Sequence, residues 1–313
     1  LDLCNNEYCD YCRNIEKGAN YMFKLPENKK RERVIDTRPD LWIYADSYVG
    51  KSTFIDQFED VLFINTDGNI DNTTSTVITI KDENSLEGRI LKTKFGWATF
   101  LEVLIALENE ENTFKTVAID LVEDLRELCR IYVFDKFGWE HESDGGFGKG
   151  WQMVSNEFNN AMKRLKRLGY QIVYISKERK EELKLRGGNT RTIFVPNIDE
   201  KTANILAGTV DLTVRAYVDE ENNRKLQLKK SNNSFGGGRF NFKQDIINLD
   251  IEDFKTALIE AQEGIKVKSK TDEEEITTEE EKPKRRHEIE DVNPFLEDVE
   301  EKPRRRRRKG EEE

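Results

Sequence analysis

Short apolar runs alternate along the chain with longer segments whose apolar positions recur at helical spacing. The runs that predict buried strands are Leu41–Tyr44, Val61–Ile64, Thr76–Ile80, Thr116–Ile119 and Gln171–Ile175. The segments that predict amphipathic helices are Thr99–Leu107, Leu121–Phe134 and Trp151–Leu168. Strands that alternate with helices in this way are typical of a mainly parallel sheet covered on both faces.

The pattern changes after about residue 210, where two strand candidates follow each other without a helix between them. Val210–Val218 and Lys225–Leu228 are joined by the polar turn Asp219–Asn223, which predicts a hairpin at the end of the sheet. Ile251–Gln262 predicts a closing helix. We therefore predict an α/β fold with a mainly parallel central sheet flanked by helices over residues 38–262.

The segments on either side have a different composition. Residues 1–37 are polar and contain three cysteines, while residues 263–313 consist largely of charged blocks, which predict a disordered tail. The whole chain is 36% apolar and 36% charged, with a formal net charge of -11. This charge argues against a uniformly basic surface for nucleic acid but leaves room for local basic patches.

Two further features bear on location and on metals. The absence of a long apolar run predicts no membrane span, and the lack of a signal pattern predicts a cytoplasmic protein. Cys4, Cys9 and Cys12 are spaced as C-x₄-C-x₂-C. Zinc normally takes four ligands, so plain reduced thiols are favoured over a zinc site.

The loop after the first apolar run has a phosphate-binding pattern. Its predicted nucleotide-binding residues are Ala45, Asp46, Ser47, Tyr48, Val49, Gly50, Lys51, Ser52 and Thr53. Such a loop needs inward-pointing backbone amides, a lysine for the β and γ phosphates and a hydroxyl for Mg²⁺. Ala45 replaces the first glycine of the pattern, which costs energy if its φ is positive, and Asp46 adds negative charge. We therefore expect weaker phosphate binding than in a standard loop.

Carboxylates follow two of the predicted strands. Asp120 ends the strand that begins at Thr116 and is the candidate Mg²⁺ ligand together with Ser52; the alternative is a cap of the next helix. Asp67 is the favoured residue to orient the attacking water, with Glu123 as second candidate. The alternative for both is a solvated carboxylate.

Two polar residues follow the strand Gln171–Ile175. Ser176 and Lys177 come at the strand end, where either could sense the γ phosphate. The alternative for Lys177 is membership of the charged surface run Lys177–Lys184. These two interpretations are equally open, and Lys177 is a catalytic candidate.

This ordered set of motifs resembles the phage nucleotide-binding AAA proteins with a RecA-like core, a group that includes RecA-like single-strand-annealing ATPases. The segments that carry the resemblance are Ile43–Phe54, Val61–Gly68, Val117–Asp120, Gly148–Gly150 with Asn156–Phe158, and Asp211–Val214. The resemblance implies ATP, Mg²⁺ and single-stranded DNA as ligands. By position Asp67 resembles the catalytic glutamate of that group, whereas many relatives have histidine in place of Lys177.

The resemblance also implies a homo-oligomer, a ring or a filament, with ATP at the subunit interface. Lys229, Lys230 and Arg239 are candidates to act in trans on a neighbour's nucleotide, and the alternative is surface charge beside a glycine turn. Arg186 and Arg191 lie in a predicted basic loop that is a candidate for DNA contact, with an ordinary solvated loop as the alternative. A phage single-strand-binding protein is a further expected partner.

Two functions fit these residues. The first is an ATP-hydrolysing RecA-like phage protein that acts on single-stranded DNA in recombination, by annealing or strand exchange, inside the bacterial host. The alternative is a nucleotide-gated replication accessory protein, similar to a helicase loader, with little hydrolysis. Ala45 and Lys177 favour the alternative, because both depart from the usual catalytic pattern.

Overall fold

A computed structural model gives the structure of residues 25–30, 35–141, 143–146, 148–184 and 188–262. These residues all belong to one compact unit that spans residues 1–267. The predictions for the N-terminal cysteines, for Arg186 and for the charged tail lie outside the described residues.

Most strands belong to one large sheet. The strands are β1 (Leu41–Ala45), β2 (Val61–Asn65), β3 (Thr76–Thr79), β4 (Glu83–Glu87), β5 (Ile90–Lys94), β6 (Thr116–Asp120), β7 (Gln171–Lys184), β8 (Thr190–Pro196), β9 (Leu212–Val218), β10 (Arg224–Gln227), β11 (Gly237–Gly238) and β12 (Ile246–Asn248). Their order across the sheet is β12-β10-β9-β1-β7-β6-β2-β3, with β8 paired to β7 and β11 to β9. Every neighbouring pair from β3 to β9 is parallel.

Helices cover both faces of this sheet. They are α1 (Lys51–Ile55), α2 (Gly96–Asn109), α3 (Val122–Phe137), α4 (Lys149–Arg167), α5 (Glu200–Thr209) and α6 (Ile251–Glu260). Along β1 the side chains alternate, so that Trp42 joins a core with α2 to α5 while Ile43 joins a core with α1 and α6. β1, β2 and β6 are buried along their whole length, as a parallel sheet between two helix layers requires. The predicted α/β fold with a mainly parallel sheet is confirmed.

The sheet departs from the sequence-based expectation at its hairpins. The predicted pair β9 and β10 is present and antiparallel. β7 continues eight residues beyond its buried part, and Glu178–Lys184 of this outer segment pair antiparallel with β8. Lys184 lies in β7, and Thr190 and Arg191 lie in β8, so the prediction of a basic loop over residues 184–191 is wrong for these three residues. The strands were not recognised because the apolar pattern of β7 stops where its pairing with β8 begins. The separate β4–β5 hairpin was not predicted either.

The strand order brings the polar strand ends together. β7 lies between β1 and β6, and β2 lies on the other side of β6. Because these strands are parallel, their carboxyl ends meet at one edge of the sheet. The residues that follow them are therefore neighbours at that edge.

Candidate functional site

The loop between β1 and α1 takes its left-handed turn later than the sequence pattern indicates. Ala45 is buried in β1, and it is not among the described residues with positive φ. The positive φ angles belong to Tyr48, at 65°, and Gly50, at 104°. The expected steric cost at Ala45 does not arise, and the conformation for which glycine is needed lies at Gly50.

Lys51 is folded back over this loop. Its side chain is buried, and Nζ donates hydrogen bonds to the carbonyl oxygens of Ala45, at 3.1 Å, and Asp46, at 2.9 Å. Burial lowers the pKa of Lys51, while the negative charges of Asp120, Glu123 and Asp46 act in the opposite direction. A buried ammonium held only by neutral carbonyls is suited to receive an anion in the loop.

Ser52, in the first turn of α1, and Asp120, at the end of β6, are in direct contact. Ser52 Oγ donates a 2.6 Å hydrogen bond to Asp120 Oδ2. Burial raises the pKa of Asp120 to about 6, the hydrogen bond from Ser52 lowers it, and the negative charge of Asp67 raises it again. A buried carboxylate whose charge is this poorly compensated is a favourable neighbour for a cation.

Asp67, two residues after β2, is fixed by amide donors. Asn65 Nδ2 and the Asn69 backbone N–H donate to its Oδ1 at 3.0 and 2.9 Å, and Asn69 Nδ2 donates to Oδ2 at 3.1 Å. Burial raises the pKa of Asp67, but these hydrogen bonds and the charge of Lys177 outweigh burial and leave the pKa lowered. Asp67 is therefore ionised at neutral pH and held in one orientation.

These groups face a common cavity of about 650 Å³. Its walls include the loop residues Gly50 and Lys51, the carboxylates of Asp67 and Asp120, and Lys177 at the end of the buried part of β7. The remaining described residues of the wall are Ser47, Tyr48, Ser52, Thr53, Asn69, Asp71, Asn72, Thr73, Leu121 and Arg224. The cavity thus combines a phosphate loop, three carboxylates and three cationic side chains.

A family profile described as an AAA domain matches residues 37–240. The match covers more than half of the chain and includes every residue of the cavity wall. The chain belongs to the AAA domain family. Membership indicates a P-loop NTPase that binds nucleotide, and ATPase activity in general. A search of the curated proteins finds no match to the chain.

The donor set in this AAA domain fits a magnesium ion that is held jointly with nucleotide. Mg²⁺ is usually bound by one or two carboxylates together with substrate phosphates and water. The Ser52 hydroxyl and the Asp120 carboxylate, in contact with each other, supply the protein part of such a set. Within the described residues there is no group of three or more His, Cys, Asp or Glu side chains that could hold a metal alone.

Glu123, the second candidate for orienting water, has a different role in the AAA domain. Its Oε1 accepts a 2.7 Å hydrogen bond from the backbone N–H of Lys177, and burial raises the pKa of Glu123 to about 7. It is not among the described residues that line the cavity. Of these two carboxylates, Asp67 lies on the described cavity wall and Glu123 does not.

Ser176 and Lys177, the two candidates for sensing the γ phosphate, have different surroundings. The Ser176 hydroxyl is fully buried and accepts a 2.9 Å hydrogen bond from Trp42 Nε1. Lys177 lines the cavity, and its positive charge lowers the pKa of both Asp67 and Asp120. Of these two residues, Lys177 has the position of a group that could contact a phosphate.

The other predicted residues lie away from the cavity. Lys229 pairs with Asp245 at 2.7 Å, Arg239 pairs with Asp211 at 3.0 Å, and Lys230 is exposed. None of the three is among the described residues of the cavity wall, so a role in trans stays a prediction. Arg191 is half-buried in β8, opposite Leu183 of β7.

Sequence reasoning missed Arg224, the third cation of the cavity wall, as well as Asn69, Asp71, Asn72, Thr73 and Leu121. Arg224 begins β10 and reaches the cavity from the side of β1 opposite to β7. The only available signal was an arginine directly after the polar turn of the predicted β9–β10 hairpin. The described part of the chain contains no helix long and apolar enough to cross a membrane.

Proposed function

We propose that this protein is a Mg²⁺-dependent ATPase whose turnover is controlled by single-stranded DNA, of the type that acts in phage recombination by annealing or strand exchange. The observation that carries the hydrolytic part is the position of Asp67. It is an oriented, ionised carboxylate on the same cavity wall as Lys51 and the Ser52–Asp120 pair.

The roles follow from charge and position. Lys51 stabilises the negative charge of the terminal phosphates. Ser52 and Asp120 would hold Mg²⁺, which supplies Lewis-acid neutralisation of the phosphate oxygens when it is bound. Asp67 orients a water molecule and accepts its proton. The side-chain amides of Asn65 and Asn69 hold the Asp67 carboxylate in this orientation by hydrogen bonds.

The β7–β8 ribbon supports the DNA part of the proposal. β7 runs without interruption from Lys177 at the cavity to Lys184 in the ribbon. The ribbon carries Lys180 and Arg191, cations of the kind that neutralise DNA phosphates. DNA bound along the ribbon could therefore shift Lys177 through one continuous strand. Assembly into a ring or filament, and contact with a single-strand-binding protein, belong to the same proposal.

A second candidate is a nucleotide-gated accessory protein with little hydrolysis, similar to a helicase loader. Lys177 favours it, because many of the proteins that the chain resembles have histidine at this position. Ala45 does not favour this second function, because its φ is not positive and the expected steric cost in the phosphate loop is absent. This function predicts ATP binding with negligible turnover.

The test is steady-state ATP turnover of the full chain with and without single-stranded DNA. We expect turnover that DNA stimulates and that Lys51→Ala abolishes. The double variant Lys180→Ala/Lys184→Ala should retain basal turnover and lose stimulation, while Lys163→Ala, an exposed charge on α4, should behave as wild type. Equal turnover in wild type and Lys51→Ala contradicts the ATPase, and absence of both DNA binding and stimulation contradicts the DNA part alone. ATP binding without turnover favours the accessory protein.

A further inference from the structure

Arg224 is held directly over the phosphate loop. Its strand is separated from β1 only by β9, with Arg224 opposite Val218 in the β9–β10 hairpin. Its guanidinium Nη1 lies 3.3 Å from the position that a Cβ on Gly50 would occupy. Because both residues line the same cavity, this contact places a permanent positive charge at the mouth of the loop.

No carboxylate neutralises this charge among the described residues. The Arg224 side chain has no ion pair or hydrogen bond within the part of the chain that the structure describes. The next residue differs, since Lys225 Nζ contacts Asp219 at 4.0 Å and Asn248 at 2.9 Å. The half-buried Arg215 is likewise paired, with Glu178 at 2.6 Å. Arg224 is thus an arginine fork that faces the cavity and is available to an anion.

The two flanks of β1 show which part of a nucleotide Arg224 would contact. On the β7 flank lie Asp67, Asp120 and Lys177, so the γ phosphate, where water attacks, belongs on that side. Arg224 approaches from the β10 flank and ends over Gly50. The portion of the phosphate chain on this flank is the portion that ADP and ATP share.

We propose that Arg224 binds the α- and β-phosphate part of the nucleotide and contributes affinity for ADP and ATP alike. This inference rests on the proposed nucleotide-binding function and adds a residue to it. A charged hydrogen bond of this kind corresponds to about a tenfold change in affinity. Arg224→Ala should therefore weaken both nucleotides by about tenfold, and Arg224→Lys, which keeps the charge without the fork, should weaken them less.

The experiment is calorimetric titration of the full chain with ADP and with a slowly hydrolysed ATP analogue, both with Mg²⁺. Lys225→Ala is the matched control, because it removes one positive charge from the next position of the same strand. It should bind both nucleotides as wild type does. Thermal unfolding of each variant shows whether the fold is intact, and the exposed position of Arg224 predicts an unchanged midpoint.

Three outcomes would overturn the proposal. If Arg224→Ala weakens only the ATP analogue, Arg224 contacts the γ phosphate instead. If Arg224→Ala binds as tightly as wild type, or loses no more affinity than Lys225→Ala, Arg224 is a surface charge, and the proposed function still stands. If wild type binds neither nucleotide, the proposed function fails and this inference fails with it.

Discussion

The two flanks of β1 present the nucleotide cavity with different chemistry. The β7 flank contributes Asp67, Asp120 and Lys177. Asp67 follows β2, Asp120 ends β6, and Lys177 lies in β7 just beyond its buried part. The β10 flank contributes Arg224, which begins an antiparallel strand after a hairpin turn. On the first flank the positive charge of Lys177 lowers the pKa of Asp67 and Asp120. The second flank presents a single cation without an ion pair among the described residues.

This difference separates catalysis from binding. Groups that must hold a metal ion and activate water need closely spaced opposite charges, and burial sharpens their interaction. A group that only holds phosphate needs a positive charge with no competing carboxylate. Substitutions on the β7 flank should therefore change turnover and metal dependence, while substitutions on the β10 flank should change affinity alone.

The largest expected effect is at Asp67. Asp67→Asn keeps the shape of the side chain but removes the proton acceptor, so turnover should fall by about 10²- to 10⁴-fold. The affinity for ATP should change little, because Asp67 is not expected to contact phosphate. Rapid-quench measurement of phosphate release, with calorimetric binding beside it, checks both.

Glu123→Gln is the matched control for this prediction. Glu123 is the nearby carboxylate whose Oε1 holds the Lys177 backbone, and it does not lie on the described cavity wall. A loss of turnover in Glu123→Gln equal to that in Asp67→Asn would contradict the assignment of the water-orienting role to Asp67.

The next effect in size is at Asp120. Asp120→Asn removes the charge expected to hold Mg²⁺, and the affinity for Mg²⁺–ATP should fall by about 10- to 100-fold. Since the pKa of Asp120 is raised to about 6, wild-type affinity should also fall as pH decreases below 6, where the carboxyl is protonated. In Asp120→Asn this pH dependence should disappear, and its persistence would assign the titration to another group. Titrations between pH 5 and 8 measure it.

The sequence predicts the β7 flank because of a general property of parallel sheets. Apolar runs locate the strands, and polar residues after them meet at one edge whenever the strands are parallel. Asp67, Asp120 and Lys177 are brought to the cavity in this way. The choice between Asp67 and Glu123 needed the structure, because only packing shows that Glu123 is occupied with the Lys177 backbone.

Arg224 could not be predicted in the same way. The β9–β10 turn has a local signature and was predicted, but the place of Arg224 beside Gly50 also depends on β9 pairing with β1, a long-range contact without one. The ribbon of β7 and β8 was missed for a different reason. The outer part of β7 consists mostly of charged residues and lacks the apolar pattern of a strand. β8 contains the apolar run Ile193–Val195, but it has no apolar partner strand in the sequence before it.

A smaller effect is expected at Lys177, and it sharpens the comparison with Arg224. Lys177→Ala should weaken an ATP analogue by about 5- to 10-fold while leaving ADP nearly unaffected, because Lys177 lies on the γ-phosphate side. Arg224→Ala should weaken both nucleotides. Calorimetric titration with each nucleotide compares the two, and Lys163→Ala controls for the loss of charge. Equal weakening of ADP by Lys177→Ala would contradict the division into two flanks.

The last effect concerns the stability of the β7 flank without nucleotide. Burial raises the pKa of Glu123 from its usual 4.5 to about 7, so between these values the folded protein holds a proton that the unfolded chain has lost. The stabilisation from this proton is complete below pH 4.5 and is lost as pH rises through 7. The free energy of unfolding should therefore decline by about 2.5 kcal/mol between pH 5 and 8 on account of Glu123.

Urea denaturation of the nucleotide-free protein across this range measures the decline. Glu123→Gln should flatten it without abolishing it, because the pKa of Asp120 is also raised. Glu102→Gln, an exposed carboxylate on α2, should leave it unchanged. An unaltered slope in Glu123→Gln would mean that Glu123 is solvated like an ordinary surface carboxylate. The packing that positions Lys177 on the β7 flank would then be looser than its 2.7 Å hydrogen bond to Glu123 indicates.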